Sequence, residues 1–120
     1  MKCLSKITLV GVALLGWNIA CAQQATEIFI PIGKSPGISG TDSVIGSISS
    51  VNYNEYRMTV AADGETMTVT MTSSTRYYVD RHKYKQRNTT GNFEDCEPGR
   101  RIEVLIDNDG NAVWIKIAAP

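Results

Sequence analysis

The chain has few of the residues that small domains use for cross-linking and for catalysis. It contains three cysteines and one histidine. Two of the cysteines, Cys3 and Cys21, lie in or beside a segment that we expect to be removed, so Cys96 has no partner for an internal disulfide. The fold must then be stabilised by packing. Acidic residues flank Cys96 and would raise the pKa of its thiol, which indicates a buried or inert group.

Long hydrophobic runs are also absent, since the apolar stretch from Ile7 to Leu15 is too short to span a bilayer. Lys2 and Lys6 precede this stretch, and the small residues Ala20-Cys21-Ala22 follow it. This order is typical of an export signal with its cleavage site. We therefore predict a signal peptide at residues 1–22 and a periplasmic or secreted protein.

Cys21 also supports an alternative, in which it is the lipid-accepting cysteine of a membrane-anchored bacterial lipoprotein. Asn18 argues against lipidation, because a large aliphatic residue is usual at that position. The protein would contact a membrane only if Cys21 were lipidated.

No charge of one sign is in excess, because twelve basic residues balance twelve acidic ones. Removal of Lys2 and Lys6 leaves ten basic residues against twelve acidic ones, a formal charge of −2. This charge balance excludes a general binder of polyanions. Because we expect the protein to be exported, nucleic acid is an unsuitable partner. The 98 residues that follow the signal form one small domain.

The exported part divides into an arm and a folded domain. Residues 23–42 contain two prolines and three glycines with little periodicity, which indicates an extended Pro/Gly arm. Residues 43–120 carry the β pattern. Val44 to Val51 predicts a strand with a bulge or bend at Gly46, and Arg76 to Val79 predicts a short strand. Asp80 begins a stretch through Arg87 that fits a brief helix or a loop.

Alternating apolar and polar residues on both sides of Asp63-Gly64 predict a β-hairpin with one buried face and one polar face. Its apolar pairs are Val60 with Met67, Met58 with Val69, and Tyr56 with Met71; its polar pairs are Thr59 with Thr68 and Arg57 with Thr70.

The same pattern around Asp109-Gly110 predicts a second hairpin. Its inward pairs are Ile106 with Val113, Val104 with Ile115, and Ile102 with Ile117; its outward pairs are Glu103 with Lys116 and Leu105 with Trp114. The outward apolar pair indicates either partial exposure or a second contact surface covered by the arm. Three meandering strands, a longer connection and a hairpin predict an all-β fold, a small OB-like antiparallel barrel of five to six strands.

Several turn and core positions resemble those of small exported bacterial domains of unknown function with an OB-like barrel. The segments that carry the resemblance are Gly46-Ser47-Ile48-Ser49-Ser50-Val51, Phe93-Glu94-Asp95-Cys96 leading to Gly99, the strand at Ile102 and Val104, and Asp109-Gly110 followed by Ala112 and Ile115. The resemblance covers about residues 43–118 and implies the barrel fold. It brings no catalytic residue and no cofactor.

The strongest functional signal is a basic segment at residues 76–87 that carries a charge of +4 and is interleaved with tyrosines. OB barrels bind ligands across one sheet face and its loops. We therefore predict a non-enzymatic envelope module that binds an anionic glycan, a lipid head group or a protein, or else a solvated loop balanced by nearby acids. The candidate ligand residues are Arg57, Arg76, Tyr78, Arg81, Lys83, Tyr84, Lys85 and Arg87.

Two alternatives use other residues. Soft thioether ligands suit Cu(I), so Met67, Met71 and His82 form the candidate set of a copper or silver binding protein, although methionines on an inward face also fit a core. Gly33-Lys34-Ser35-Pro36-Gly37 matches a G-x-S-x-G pattern and would make a small hydrolase with Ser35 and His82, but the pattern lies in an arm rather than at a strand-to-helix elbow.

Overall fold

The computed structural model describes residues 27–120. The predicted signal peptide at 1–22 and the alternative lipid site at Cys21 lie outside the described residues. Three 3-10 turns occur in the described part, at Glu27–Phe29, His82–Tyr84 and Phe93–Asp95, and no helix there is long and apolar enough to cross a membrane. The strands are β1 (Ser43–Asn52), β2 (Arg57–Ala62), β3 (Glu65–Thr70), β4 (Arg76–Asp80), β5 (Thr89–Thr90), β6 (Arg101–Ile106) and β7 (Ala112–Ala118).

One long strand, β1, joins the two parts of the sheet, whose strand order is β3-β2-β1-β6-β7-β4-β5. The first half of β1 pairs with β6 and the second half with β2. Gly46 permits this junction, because a Cβ atom there would lie 2.1 Å from the carbonyl oxygen of Ala61. The bulge lies slightly further along, between Ile48 and Ser50.

The sheet closes through an interrupted third strand. Thr70 at the end of β3 bridges Asn111 in parallel, and its amide donates to the carbonyl of Gly110. After a break at residues 71–75, β4 pairs with β7 in parallel. The predicted all-β OB-like barrel is confirmed. The described part contains seven strands because the third strand is split and β5 adds a two-residue edge, and the β4–β7 pairing is the exception to the antiparallel pattern.

The first hairpin has the predicted register, with Met58 opposite Val69 and Val60 opposite Met67. Asp63 and Gly64 both adopt left-handed φ angles, as a two-residue hairpin turn requires. The predicted burial of all its apolar side chains is wrong for Met67, which is 36% exposed, and for Tyr56, which is 58% exposed. Met67 lies near the turn and Tyr56 in the β1–β2 loop, where the barrel interior ends.

The second hairpin departs from its predicted register at one end. Val104 and Ile115 pair as predicted, but Ile106 pairs with Ala112 rather than with Val113 because the register shifts after Leu105. The carboxylate of Asp107 accepts the amides of Asp109 and Asn111 and widens the loop.

The outward face of this hairpin, which carries Glu103 and Lys116, is covered, in agreement with the alternative in which the arm covers a second contact surface. Both side chains are fully buried, and Trp114 is 3% exposed. Residues 27–42, here called the N-terminal segment, lie over Glu103 and Lys116 and bond to both. The sequence indicated an extended arm, whereas the structure shows consecutive turns closed by backbone hydrogen bonds.

The inward faces of both hairpins form one apolar core. Cys96 belongs to it with no exposed surface, and burial, assisted by the charge of Asp95, raises the pKa of its thiol to about 12. Its predicted burial is confirmed. The buried members of the core are Ile48, Met58, Val60, Val69, Met71, Cys96, Ile102, Val104, Ala112, Ile115 and Ile117.

Candidate functional site

Five of the eight predicted ligand residues line cavities, and these are three separate cavities. Arg76 and Tyr78 on β4 line a cavity of about 220 Å³ beside Trp114. Arg57 on β2 lines another cavity of about 220 Å³, with Thr59 and Thr68. The remaining cations belong to residues 81–88, here called the basic loop. The structure therefore separates the β2 face from the basic loop.

Hydrogen bonds within the basic loop hold its shape. The amide of Arg81 donates to Asn88 Oδ1 over 2.8 Å, which joins the two ends of the loop. The Arg81 guanidinium donates to Gln86 Oε1, so this cation is held against another residue of the loop. Lys85 ends the short 3-10 turn in a left-handed conformation, with φ of 56°. Lys83 lies 5.1 Å from the centre of the Tyr84 ring, whose hydroxyl donates to the carbonyl of Pro120.

Asp80 joins the basic loop to the N-terminal segment. Its Oδ1 accepts the amide of His82 and its Oδ2 accepts the amide of Ile32, both over 2.9 Å. Burial alone raises the pKa of Asp80, but these two amides and the imidazole of His82 outweigh it, so the pKa is lowered from its usual 3.8. Asp80 is therefore ionised at neutral pH, and its carboxylate accepts the two amides that join the basic loop to the N-terminal segment.

A buried ion pair fixes the start of the N-terminal segment on β7. Lys116 Nζ donates to Glu27 Oε1 over 2.7 Å and to Ser35 Oγ over 2.9 Å, and both members of the ion pair have no exposed side-chain surface. The Ser35 hydroxyl donates to the same oxygen of Glu27. Lys116 Nζ also lies 4.6 Å from the centre of the Trp114 ring. We call this group the clamp.

The clamp and Asp80 together place Phe29 against the basic loop. Phe29 is 56% exposed, two residues after Glu27 in the first turn of the segment. The segment and the loop enclose an open cavity of about 530 Å³, here called the loop pocket. Its lining residues are Phe29, His82, Lys85, Gln86, Arg87 and Asn88.

His82 is oriented by two acceptors. Its Nδ1 lies 3.0 Å from Asp80 Oδ1 and 3.0 Å from Asn88 Oδ1. Since Asp80 is ionised and the Asn88 oxygen already accepts the amide of Arg81, Nδ1 must carry the hydrogen. Nε2 is then left for the pocket. Asn88 Nδ2 is buried and has no hydrogen-bond partner among residues 27–120.

The candidate soft-metal ligands lie in three different cavities. Met67 lines one with Val44 and Val60. Met71 lines a second, and His82 belongs to the loop pocket. Among residues 27–120, no group of three or more His, Cys, Asp or Glu side chains could hold a metal ion.

The hydrolase candidates are also apart. Ser35 is 3% exposed, and its hydroxyl is bonded to Glu27 and Lys116 rather than to His82. A nucleophilic serine needs a base within hydrogen-bond reach and a substrate at its oxygen. The buried position of Ser35 gives a substrate no access.

Sequence reasoning missed five residues that shape the loop pocket: Glu27, Phe29, Asp80, Asn88 and Lys116. Lys116 had a detectable signal, because it interrupts a β7 pattern with apolar residues on both faces. Glu27 had none, since its partner Lys116 is 89 residues away in the chain. The local pattern places Asp80 at the start of the loop but not its bond to Ile32, which is 48 residues away.

No protein-family model matches the sequence, and no curated protein matches it. Among solved structures, the fold is similar to CusF with Ag(I), at 15% identity and a TM-score of 0.43, over 62% of this chain and 93% of that one. It is likewise similar to a Cu(II) structure of a tryptophan-to-alanine variant of CusF from Escherichia coli, at 14% identity and a TM-score of 0.43, over 64% and 90% of the two chains. At these TM-scores the likeness supports no conclusion about this chain.

Proposed function

We propose that the domain is a non-enzymatic binding module of the bacterial cell envelope, which holds an anionic group of an envelope component in the loop pocket. The observation that carries the proposal is the convergence of Lys85 and Arg87 on one cavity with an exposed aromatic ring, Phe29. Cationic side chains with an aromatic platform suit a ligand with an anionic group and an apolar part.

Local electrostatics support an anion in this pocket. The Asp80 carboxylate, the acidic group in direct contact with His82, is already engaged by two amides and the imidazole. The charges of Lys85 and Arg87 are therefore available to a ligand. Asn88 Nδ2 adds a donor that an acceptor oxygen would satisfy after a small movement of the amide.

The backbone of Lys85 supports a role in binding rather than in folding. Its φ of 56° is a conformation that favours glycine and costs a lysine about 1 kcal/mol. Glycine would close the same turn without this cost. A lysine at this position is best explained by the charge that it presents to the pocket.

Binding to a panel of anionic probes tests the proposal. The purified protein would be titrated by calorimetry with a heparin tetrasaccharide, with phosphatidylglycerol vesicles and with a polyglutamate peptide at low salt. We expect saturable binding to at least one probe and weakening at high salt, because exposed charges are screened. The double variant Lys85→Gly/Arg87→Gln is expected to bind about tenfold more weakly.

Arg57→Gln is the matched control, since it removes one charge from the separate cavity on β2. Its affinity should equal that of the unchanged protein. Equal weakening by Arg57→Gln and by the double variant Lys85→Gly/Arg87→Gln would place the site elsewhere. If none of the three probes bound, the proposed function would be wrong.

A further inference from the structure

A second cavity, independent of the loop pocket, lies beside a cluster of aromatic rings. Phe93 lies at the centre of this cluster. The ring of Tyr56 stacks on the Phe93 ring with 5.6 Å between ring centres, and the rings of Tyr53 and Tyr77 are tilted against it at 5.1 and 6.4 Å. Tyr53 also donates its hydroxyl to the carbonyl of Cys96 over 2.6 Å, which ties the cluster to the core. The rings are held in place by one another, so their faces form a rigid platform.

Tyr56 is displayed at the edge of this platform at a conformational cost. Its φ is 55°, a left-handed value that an aromatic residue rarely adopts. Its side chain is nevertheless 58% exposed, so the contact with Phe93 hides less than half of it. Folding alone does not account for a strained and exposed ring at this position. Such outliers concentrate where a ligand is held.

The cavity next to the platform has about 440 Å³, and among residues 27–120 no charged side chain lines it. Tyr56, Tyr77 and Phe93 supply ring surface and Met71 supplies a buried thioether. The remaining lining residues carry hydroxyl groups. They are Thr72, Ser73 and Thr75, in the break between β3 and β4. We call this cavity the aromatic cleft.

A lining that combines ring surface with hydroxyl groups matches the chemistry of a sugar. A pyranose ring has C–H groups on its faces, which pack on aromatic rings, and hydroxyls at its edge, which exchange hydrogen bonds with side-chain hydroxyls. The uncharged lining selects a neutral ring, because a buried anion or cation would need a charged partner. The size suits one or two rings, since small-ligand sites have volumes of about 300–1,000 Å³.

The position in the barrel agrees with this ligand. OB barrels bind oligosaccharides across the face of strands 2 and 3 and through the loops between strands 1 and 2 and between strands 4 and 5. Tyr56 belongs to the β1–β2 loop, and Thr72 and Ser73 follow β3 directly.

We propose that the aromatic cleft binds a ring of a neutral glycan, stacked on Tyr56 and Phe93 with its hydroxyls at Ser73 and Thr72. The cleft shares no lining residue with the loop pocket. This inference therefore does not depend on the proposed function.

Titration with neutral sugars followed by tyrosine fluorescence or by amide NMR tests the inference. The probes are N-acetylchitotriose and cellotriose, each taken to about 10 mM. We expect at least one to bind saturably and to shift the amides of residues 72–75. Tyr56→Gly should weaken that binding about tenfold, which is the upper range for loss of one ring contact. Ser73→Ala should weaken it about threefold, as loss of one hydrogen bond does.

Thermal unfolding separates binding from folding. Glycine relieves the left-handed strain at position 56, and this gain offsets the lost stacking on Phe93, so Tyr56→Gly should leave the melting temperature nearly unchanged while it loses the sugar. Met67→Ala, an exposed apolar side chain outside the cleft, should bind like the unchanged protein. The inference would be overturned by absence of saturation with both sugars or by retained binding in Tyr56→Gly. Saturation only with tetramethylammonium, as a probe for an organic cation, or with Ag(I), as a probe for a soft metal, would also overturn it.

Discussion

The two faces of the β6–β7 hairpin are both buried, but one is stabilised by apolar packing and the other by hydrogen bonds and ion pairs of buried charges. The inner face presents Ile102, Val104, Ile115 and Ile117 to an apolar core. The outer face presents Glu103 and Lys116, whose charges are bonded to the N-terminal segment. Apolar packing tolerates small changes, whereas a buried charge that loses its partner is strongly unfavourable. The outer face is therefore the more fragile of the two.

Lys116→Met should give the largest effect. It removes the ammonium from the clamp and leaves the Glu27 carboxylate buried beside Ser35 without a cation. We expect a loss of about 3–5 kcal/mol in the free energy of unfolding, measured in urea. Replacing both partners, as Glu27→Leu with Lys116→Met, should recover most of this loss. A single variant as stable as the unchanged protein would contradict the clamp.

Glu103→Gln should have an intermediate effect. Glu103 accepts the amide of Gly33 and the hydroxyls of Ser39 and Ser43, all within 2.8 Å. Glutamine keeps one acceptor oxygen but turns the other position into a donor. We expect destabilisation by about 2 kcal/mol in the same urea measurement, as for loss of hydrogen bonds to a charged group. A change below that of Ile117→Val would show that the outer face does not depend on this charge.

Ile117→Val provides the comparison on the inner face. The side chain is fully buried in the core, and the substitution removes one methylene. Such changes cost about 1 kcal/mol. If this variant were more destabilised than Lys116→Met, the order of fragility proposed for the two faces would be reversed.

The sequence predicts strand pairing correctly where the alternation of apolar and polar residues determines the register. It does not predict burial where a segment distant in the sequence covers one face of the sheet. The pairing of Met58 with Val69 follows from alternation and from the Asp63-Gly64 turn. Alternation also places Glu103 and Lys116 on one face. It says nothing about what lies over that face, because their partners Glu27 and Gly33 come from a segment without periodicity. The loop pocket was predicted in part for the same reason: the cations are local, whereas Phe29 is not.

A weaker prediction concerns pH at the junction formed by Asp80. The folded-state pKa of Asp80 lies below its usual 3.8, so the carboxylate stabilises the fold fully above the unfolded-state pKa. That contribution is lost as pH falls from about 4 through the lower folded-state value. Asp80→Asn should therefore flatten the acid side of the stability profile between pH 5 and acid unfolding. An unchanged profile would mean that the amides of Ile32 and His82 do not depend on the charge.

Native-state hydrogen exchange of the Ile32 and Gly33 amides tests most directly whether the N-terminal segment is clamped on the barrel. These amides donate to Asp80 and Glu103. We predict that both are protected in the unchanged protein, and that Lys116→Met accelerates their exchange far more than it accelerates exchange of the β1–β2 amides. Exchange of Ile32 and Gly33 at the rate of an unstructured peptide in the unchanged protein would contradict the account.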